Sequence, residues 1–483
     1  MDRVTETAPL TTVPHQTAPP ERPAVRPTVL ARRAARVLAV NRIGGATVPA
    51  RSLYPHQWSW DSAFIAIGLR HRFPLRAQQE LETLLAAQWE DGRVPHIVFN
   101  PVVPRGAYFP SPDFWRSSDA GRPAGAPRER ETSGIVQPPV HALAAWLVHR
   151  ADPELSRRRA FLARAYPRLA AWHAYLADRR DLGGHGLATC VHPWEPGMDN
   201  SPCWDAPLTR VPPAPRGSFR RADLDHGAPA DRPTDLDYGR YVRLAADYRD
   251  SGYHDGSAFA FAVEDPGFNA LLTASEHALA DIARELGLGH RRAAHEERAR
   301  RLTGAMVRRL WSPESGQFLP RDLVAGALVA ERSAAGLLPL AVPGLPAAVA
   351  AALVRTAAGP HFALGAGIGM VPSYDLRGRA FDRHRYWRGP AWFNVNWVLE
   401  HGLRRHGYAG RADALRAAML THADTTGFAE YLDPVTGEAR GALDFGWTAA
   451  LTLDLLATRG EPWTGGQPPE VSSSASEPTA AQA

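Results

Sequence analysis

Within HPWEPGMDN (residues 192–200) two carboxyl side chains, Glu195 and Asp199, stand four residues apart beside Trp194. On a helix that spacing stacks both acids on one face, but Pro196 and Gly197 lie between them and disfavour a helix. The segment reads as a loop that holds acids against an indole. Another acid in aromatic company, Glu430, lies in FAEYLDPVTGE (428–438), which leads into DFGWTAA (444–450). Four further stretches mix Trp or Tyr with Asp, Gln, Arg or Asn: YPHQWSWDSAFIAIGL (54–69), GAYFPSPDFW (106–115), TSGIVQPPV (132–140) and RYWRGPAWFNVNW (385–397).

That mixture suits a sugar. A pyranose stacks its C–H faces on indoles and offers its hydroxyls to carboxylates, amides and guanidinium groups. Cleaving a glycosidic bond also takes two carboxyl groups flanking it, one of them kept protonated by an apolar wall. Asp199, between Trp194 and Trp204, suits the acid, and Glu430 suits the base that activates water. Each residue alone has a plainer reading. Asp61 can cap the helix after it, Gln137 can cap ahead of Pro138, Asn394 and Asn396 can tie loops, and Arg388 can pair with Asp444. Six such clusters at helix starts favour the sugar site over coincidence. Other chemistries find less support. GAGIGM (365–370) follows no strand, which excludes a dinucleotide loop. HExxH, a phosphate loop and a nucleophile elbow are absent, and the 19 histidines lack ligand spacing with cysteine. No metal and no cofactor are expected.

The elements that would position these residues read as helix after helix. NALLTASEHALADIARELG (269–287) places Leu272, Leu279, Ile282 and Leu286 on one stripe. HALAAWLVHR follows Pro138 and Pro139, and AWFNVNWVLEHGL (391–403) and FGWTAALTLDLLA (445–457) are helical and unusually apolar. The expected fold is all-α, a ring of helix hairpins with its chemistry on the loops at one end. The 483 residues are 45% apolar, enough for a large core. The net charge is +5 and the pI about 9.4, yet every strong base is arginine. Arginine, alanine, proline and glycine together fit a GC-rich coding bias better than a nucleic-acid partner, and RRR at 157–159 reads as a solvated helix face. Two cysteines, Cys190 and Cys203, build no disulfide framework. No apolar run reaches membrane-spanning length and the N-terminal stretch lacks a signal-peptide core, so the expectation is a soluble, cytoplasmic protein. Residues 1–27 and 461–483 read as disordered tails around one domain at 28–460. Homo-oligomerisation is left open.

The ordered motifs WSWDSAFIAIGL, QPPV, HPWEPGMDNSPCWD, YWRGPAWFNVNW and EYLDP…GWTAALTLDLL resemble glycoside hydrolase family 63, over about residues 30–460. Within that family the chain looks like the short bacterial and archaeal branch of mannosylglycerate and glucosylglycerate hydrolases. The resemblance implies an (α/α)6 toroid and an inverting mechanism, with Asp199 as general acid, Glu430 as general base and Glu195 lining the sugar pocket. It places Trp60, Asp61, Gln137, Trp194, Gly389, Trp392 and Trp447 around the sugar, and Tyr54, Trp58, Tyr386 and Trp387 toward a glycerate. Arg232 and Tyr238 in DRPTDLDYGRY (231–241) match residues of a mobile loop in glycerate-specific members, and Tyr108 joins them from another loop. A guanidinium beside phenols is physically suited to a small carboxylate. Pro196 and Phe393 depart from the family pattern, which commonly has serine and proline there, and the long, proline-rich 206–233 is hard to align. The rival readings are a neutral α-glucosidase acting on a substrate such as trehalose, a non-catalytic sugar-binding protein and a plain helical scaffold.

Overall fold

The computed structural model describes residues 26–225, 229–256, 259–458 and Trp463. The main helices, in chain order, begin with α1 (Pro27–Val40), α2 (Ser59–Leu69), α3 (Pro74–Leu85), α4 (His141–Ala151) and α5 (Phe161–Arg179). They continue with α6 (Asp235–Asp250), α7 (Pro266–Glu285), α8 (Gly289–Arg309), a 3₁₀ run at Ala334–Ala341, α9 (Ala347–Ala358), α10 (Phe393–Arg405), α11 (Ala409–Thr425) and α12 (Gly446–Ala457).

Packing sorts them into two layers. α2 packs on α4, α4 on α7, α7 on the 3₁₀ run, that run on α10, α10 on α12, and α12 back on α2. Against this closed inner circuit lie α3 on α2, α5 on α4, α8 on α7, α9 on the 3₁₀ run, α11 on α10, and α1 on α12. Inner and outer elements alternate along the chain. Composition follows position. Every residue of α2 is buried, so it carries apolar side chains all round. The outer α8 buries only a stripe, including Ala299, Leu302 and Met306, and keeps most of its arginines toward water, while Arg298 and Arg309 pair with the buried Glu276 and Glu264.

Helix starts follow local chemistry. α7 begins at Pro266, earlier than the apolar stripe suggests, because Asp265 Oδ1 accepts from the Phe268 N–H at 2.7 Å and caps the helix. That cap is worth about 1 kcal/mol. In AWFNVNWVLEHGL, Ala391 and Trp392 are strand, and the helix starts at Phe393. The strands are two residues long and serve as clips between loops. Gln57–Trp58 pairs antiparallel with Ile97–Val98, and Ala391–Trp392, Tyr431–Leu432 and Ala439–Arg440 form a three-stranded antiparallel clip. Cys190 and Cys203 are buried free thiols. No helix among the described residues is long and apolar enough to cross a membrane. The tails expected at 1–27 and 461–483 lie almost wholly outside the described residues. Of these, Pro27 opens α1, and Trp463 is buried, stacked on Trp397 at 4.9 Å.

Candidate active site

HPWEPGMDN is a series of turns, as its proline and glycine require. Gly197 takes a positive φ of 75°, and a Cβ there would lie 2.5 Å from the Trp60 ring. Only glycine satisfies both the backbone and that approach. His192 fixes the front of the turn in its neutral form. Its Nε2–H donates to the Tyr241 carbonyl at 2.9 Å, while Nδ1 accepts from the Trp194 N–H at 3.1 Å. Burial pushes this imidazole down to about 3, in keeping with one protonated nitrogen.

The two acids of this turn part company. Glu195 is fully buried, and its oxygens accept from Arg180 Nη1 and Nη2 at 2.9 Å each and from the Val191 N–H at 2.7 Å. It is spent on structure and does not line the cavity, contrary to the expectation that it meets sugar. Asp199 does line a cavity, together with Asp61 and Glu430. Burial, and secondarily the charge of Glu430, push Asp199 up to about 7 against the pull of Arg232. Asp61, in the first turn of α2, is pushed well above the carboxylate range by burial and by Glu430 and Asp199.

Glu430 enters from the three-stranded clip. Its Oε1 accepts from the Tyr54 hydroxyl at 2.9 Å and its Oε2 from the Ala442 N–H at 2.9 Å. Burial raises its pKa, while Arg232 and these hydrogen bonds oppose the rise. Gly441 makes room for it, since a Cβ there would stand 2.4 Å from Oε2 at a φ of +70°. Tyr54 also meets the Tyr386 hydroxyl at 3.2 Å and accepts from Arg232 Nη1 at 3.1 Å. The Arg232 guanidinium lies over the Tyr386 ring at 4.4 Å. Tyr386 itself sits at φ +40°, a left-handed conformation costing about 1 kcal/mol or more that presents its phenol to this group.

Five indoles face the same cavity: Trp58, Trp60, Trp194, Trp387 and Trp447. Trp60 stands perpendicular to Trp447 at 5.3 Å and near Trp387 at 6.3 Å. Gln137 lines the cavity too, with its Oε1 accepting from the Trp60 N–H at 3.2 Å. The Trp447 Nε1–H is buried without an acceptor among the described residues, a donor ready for a ligand oxygen. Tyr108 and Tyr238 complete the expected set, Tyr238 donating to the Phe109 carbonyl at 3.1 Å.

Gly389 and Trp392 stand outside the lining. Trp392 is the second layer of a stack, 3.9 Å behind Trp387 and nearly parallel to it, with Tyr431 behind it at 4.6 Å. Gly389 donates to Ser373 Oγ, and a Cβ there would lie 2.5 Å from the Asp382 carbonyl. The plainer readings sort as well. Asn396 ties Val371 to Trp392 through its amide, whereas the Asn394 Oδ1 is buried with no hydrogen-bond partner among the described residues. Arg388 pairs bidentately with Asp205, not with Asp444.

Three contributors escaped the motif reading. His96 lines the cavity, stacked on Trp194, and burial lowers it to about 3. Asn200 accepts the Trp387 N–H at 2.9 Å and so couples the Asp199 turn to that indole. Asp223 lines the cavity from the proline-rich segment 206–233. A histidine in VPHIVF and an acid in RRADLD carry no aromatic signature that would single them out. No group of three or more His, Cys, Asp or Glu among the described residues gathers as a metal site requires. The arrangement offers paired carboxyls in different hydrogen-bond surroundings, stacking surfaces and one guanidinium among phenols.

Residues 54–448 match the mannosylglycerate hydrolase MGH1-like glycoside hydrolase domain. The chain is 42% identical over 433 residues to a mannosylglycerate hydrolase of Rubrobacter radiotolerans, covering 88% of this chain and 96% of that one. It is 39% identical over 452 residues to a glucosylglycerate hydrolase of Mycolicibacterium hassiacum, covering 90% and 100%. A crystal structure of the GH63 mannosylglycerate hydrolase from Thermus thermophilus, in complex with Tris and D-glycerate, is similar with a TM-score of 0.80 at 40% identity, covering 88% of this chain and 99% of that one.

Proposed function

The chain belongs to the mannosylglycerate hydrolase MGH1-like glycoside hydrolases, and we propose that it is an inverting α-glycosidase that splits glucosylglycerate or mannosylglycerate into sugar and glycerate. The observation that carries this reading is one cavity holding Asp199 and Glu430 in different surroundings, five indoles and the Arg232 guanidinium. The closed circuit of inner helices with an outer partner on each supports an (α/α)6 toroid as the frame, formed by a single domain over about 28–460. A cytoplasmic location accords with the free thiols.

Asp199 has the surroundings of a general acid. Buried and pushed to about 7, it carries a proton in a large fraction of molecules at neutral pH, ready for the departing glycerate oxygen. Glu430 has those of a general base. The Ala442 N–H and the Tyr54 hydroxyl hold its oxygens, and hydrogen bonds of that kind favour the ionised form. In the proposed step Glu430 takes a proton from water, the water oxygen bonds to the anomeric carbon, and the bond to the glycerate oxygen breaks. Asp199 then delivers its proton to that oxygen, and the anomeric configuration inverts. Trp60, Trp194 and Trp447 stack against the ring, Asp61 and Gln137 take its hydroxyls, and Arg232 with Tyr54, Tyr108, Tyr238 and Tyr386 reads the carboxylate. Time-resolved NMR on an α-linked glycerate glycoside tests the mechanism. Free sugar appearing first as the β-anomer supports it, and the α-anomer appearing first overturns it.

A further inference from the structure

Asp223 and Arg232 share the cavity wall, yet they do not form a close pair. Arg232 Nε stands 3.6 Å from Asp223 Oδ2 and is buried with no hydrogen-bond acceptor among the described residues. Both oxygens of Asp223 are held elsewhere. Arg221 Nε donates to Oδ1 at 2.9 Å and Nη2 to Oδ2 at 2.8 Å. We infer that Arg221 is a specificity-determining residue: by holding Asp223 in a bidentate pair, it keeps the charge of Arg232 available to an anionic aglycone. The inference rests on the proposal that Arg232 reads the glycerate carboxylate.

The physical case has three parts. A carboxylate between two guanidinium groups is claimed by the one that meets it with two parallel N–H donors. Arg221 is itself fixed for that task, with Nη1 on Asp235 at 2.7 Å, Nη2 also on the Pro233 carbonyl at 2.8 Å, and its face over the Tyr238 ring at 4.3 Å. Among the described residues, the remaining direct contacts of Arg232 include no carboxylate. Tyr54 and Tyr386 are neutral phenols, and Glu430 meets Arg232 through the Tyr54 hydroxyl. All three side chains of the set are about nine-tenths buried, so water screens their charges weakly. With Arg221 uncharged, Asp223 would have Arg232 as its nearest cation, and a small movement would close the 3.6 Å gap. A substrate carboxylate would then have to displace Asp223.

The test compares Arg221→Met with the double variant Arg221→Met/Asp223→Asn on two substrates, a glycerate glycoside and the neutral glycerol glycoside of the same sugar. For Arg221→Met, KM for the glycerate glycoside is expected to rise about tenfold or more, with kcat and the glycerol-glycoside KM held within about threefold. Removing the competing carboxylate in the double variant restores the glycerate KM to within about threefold of wild type. A double variant no better than the single one, or an equal loss on both substrates, would overturn the inference and leave Arg221 as packing for Tyr238. Thermal melting checks that each variant folds, and Arg221→Gln in the same two backgrounds serves if Met disturbs the loop. The underlying reading fails separately: wild-type protein that cleaves the glycerol glycoside as readily as the glycerate glycoside removes the role of Arg232 itself.

Discussion

The cavity has two walls of different construction. One comes from helix starts and short clips: Trp60 and Asp61 in the first turn of α2, Trp447 at the start of α12, and Glu430 beside the three-stranded clip. The other comes from 221–225 and 229–238, where Arg221 holds Asp223 in an ion pair and ring contacts hold Arg232 and Tyr238. The first wall is fixed by the core and carries the groups that would make and break bonds. The second is fixed by charge and carries the group that would choose the aglycone. A rigid wall suits reacting atoms, which need placement to fractions of an ångström. A wall of paired charges suits discrimination, since each pair can be retuned without disturbing the core.

Changes in the first wall should act on turnover. Asp199→Asn and Glu430→Gln are each expected to lower kcat by about 10³, with unchanged melting, since general acid and base catalysis contribute on that order. Steady-state kinetics beside thermal melting checks this. Glu195→Gln sharpens the contrast within one turn. It breaks a fully buried pair with Arg180 and should cost about 3 kcal/mol of stability, read by chemical denaturation, while the folded fraction keeps its kcat. In the second wall, Arg232→Met should raise KM for a glycerate glycoside about thirtyfold and leave a neutral glycoside nearly untouched.

The smallest expected effect couples the walls. If Asp199 must be protonated, kcat/KM falls as pH rises through about 7, and if Glu430 must be ionised, kcat/KM falls again in acid. The Arg232 charge holds Asp199 down, so Arg232→Met should move the alkaline limb to higher pH. A pH–rate profile on a neutral substrate reads this, and an unmoved limb would mean that the walls are electrostatically independent.

The first wall was the legible one. Trp60, Asp61, Trp194, Asp199 and Glu430 announce themselves because aromatic and acidic residues recur together just before apolar helical runs. Depth was not legible. Trp387 and Trp392 look alike in sequence, and only stacking decides which faces the cavity and which backs it. Glu195 was misplaced for a related reason: nothing in HPWEPGMDN reports that Arg180, just past the end of α5, waits to pair with it. In 206–233 proline and charge follow no period. Arg221 pairs with Asp223 two residues on, but the contacts of Arg232 with Tyr54 and Tyr386 are set by folding at a distance. The apolar character of α10 and α12 was visible, but the inner α7 read as a one-stripe helix, so sequence did not separate the two layers. The 3₁₀ run at Ala334–Ala341 is an apolar stretch too short to declare its place in the inner circuit.

The central claim is that this cavity cleaves a glycoside whose aglycone is glycerate. The direct measurement gives purified protein glucosylglycerate, mannosylglycerate and trehalose side by side and follows released sugar and glycerate. Release from one or both glycerate glycosides, with trehalose left intact, is the predicted result. Release from trehalose alone, or from none of the three, would contradict it.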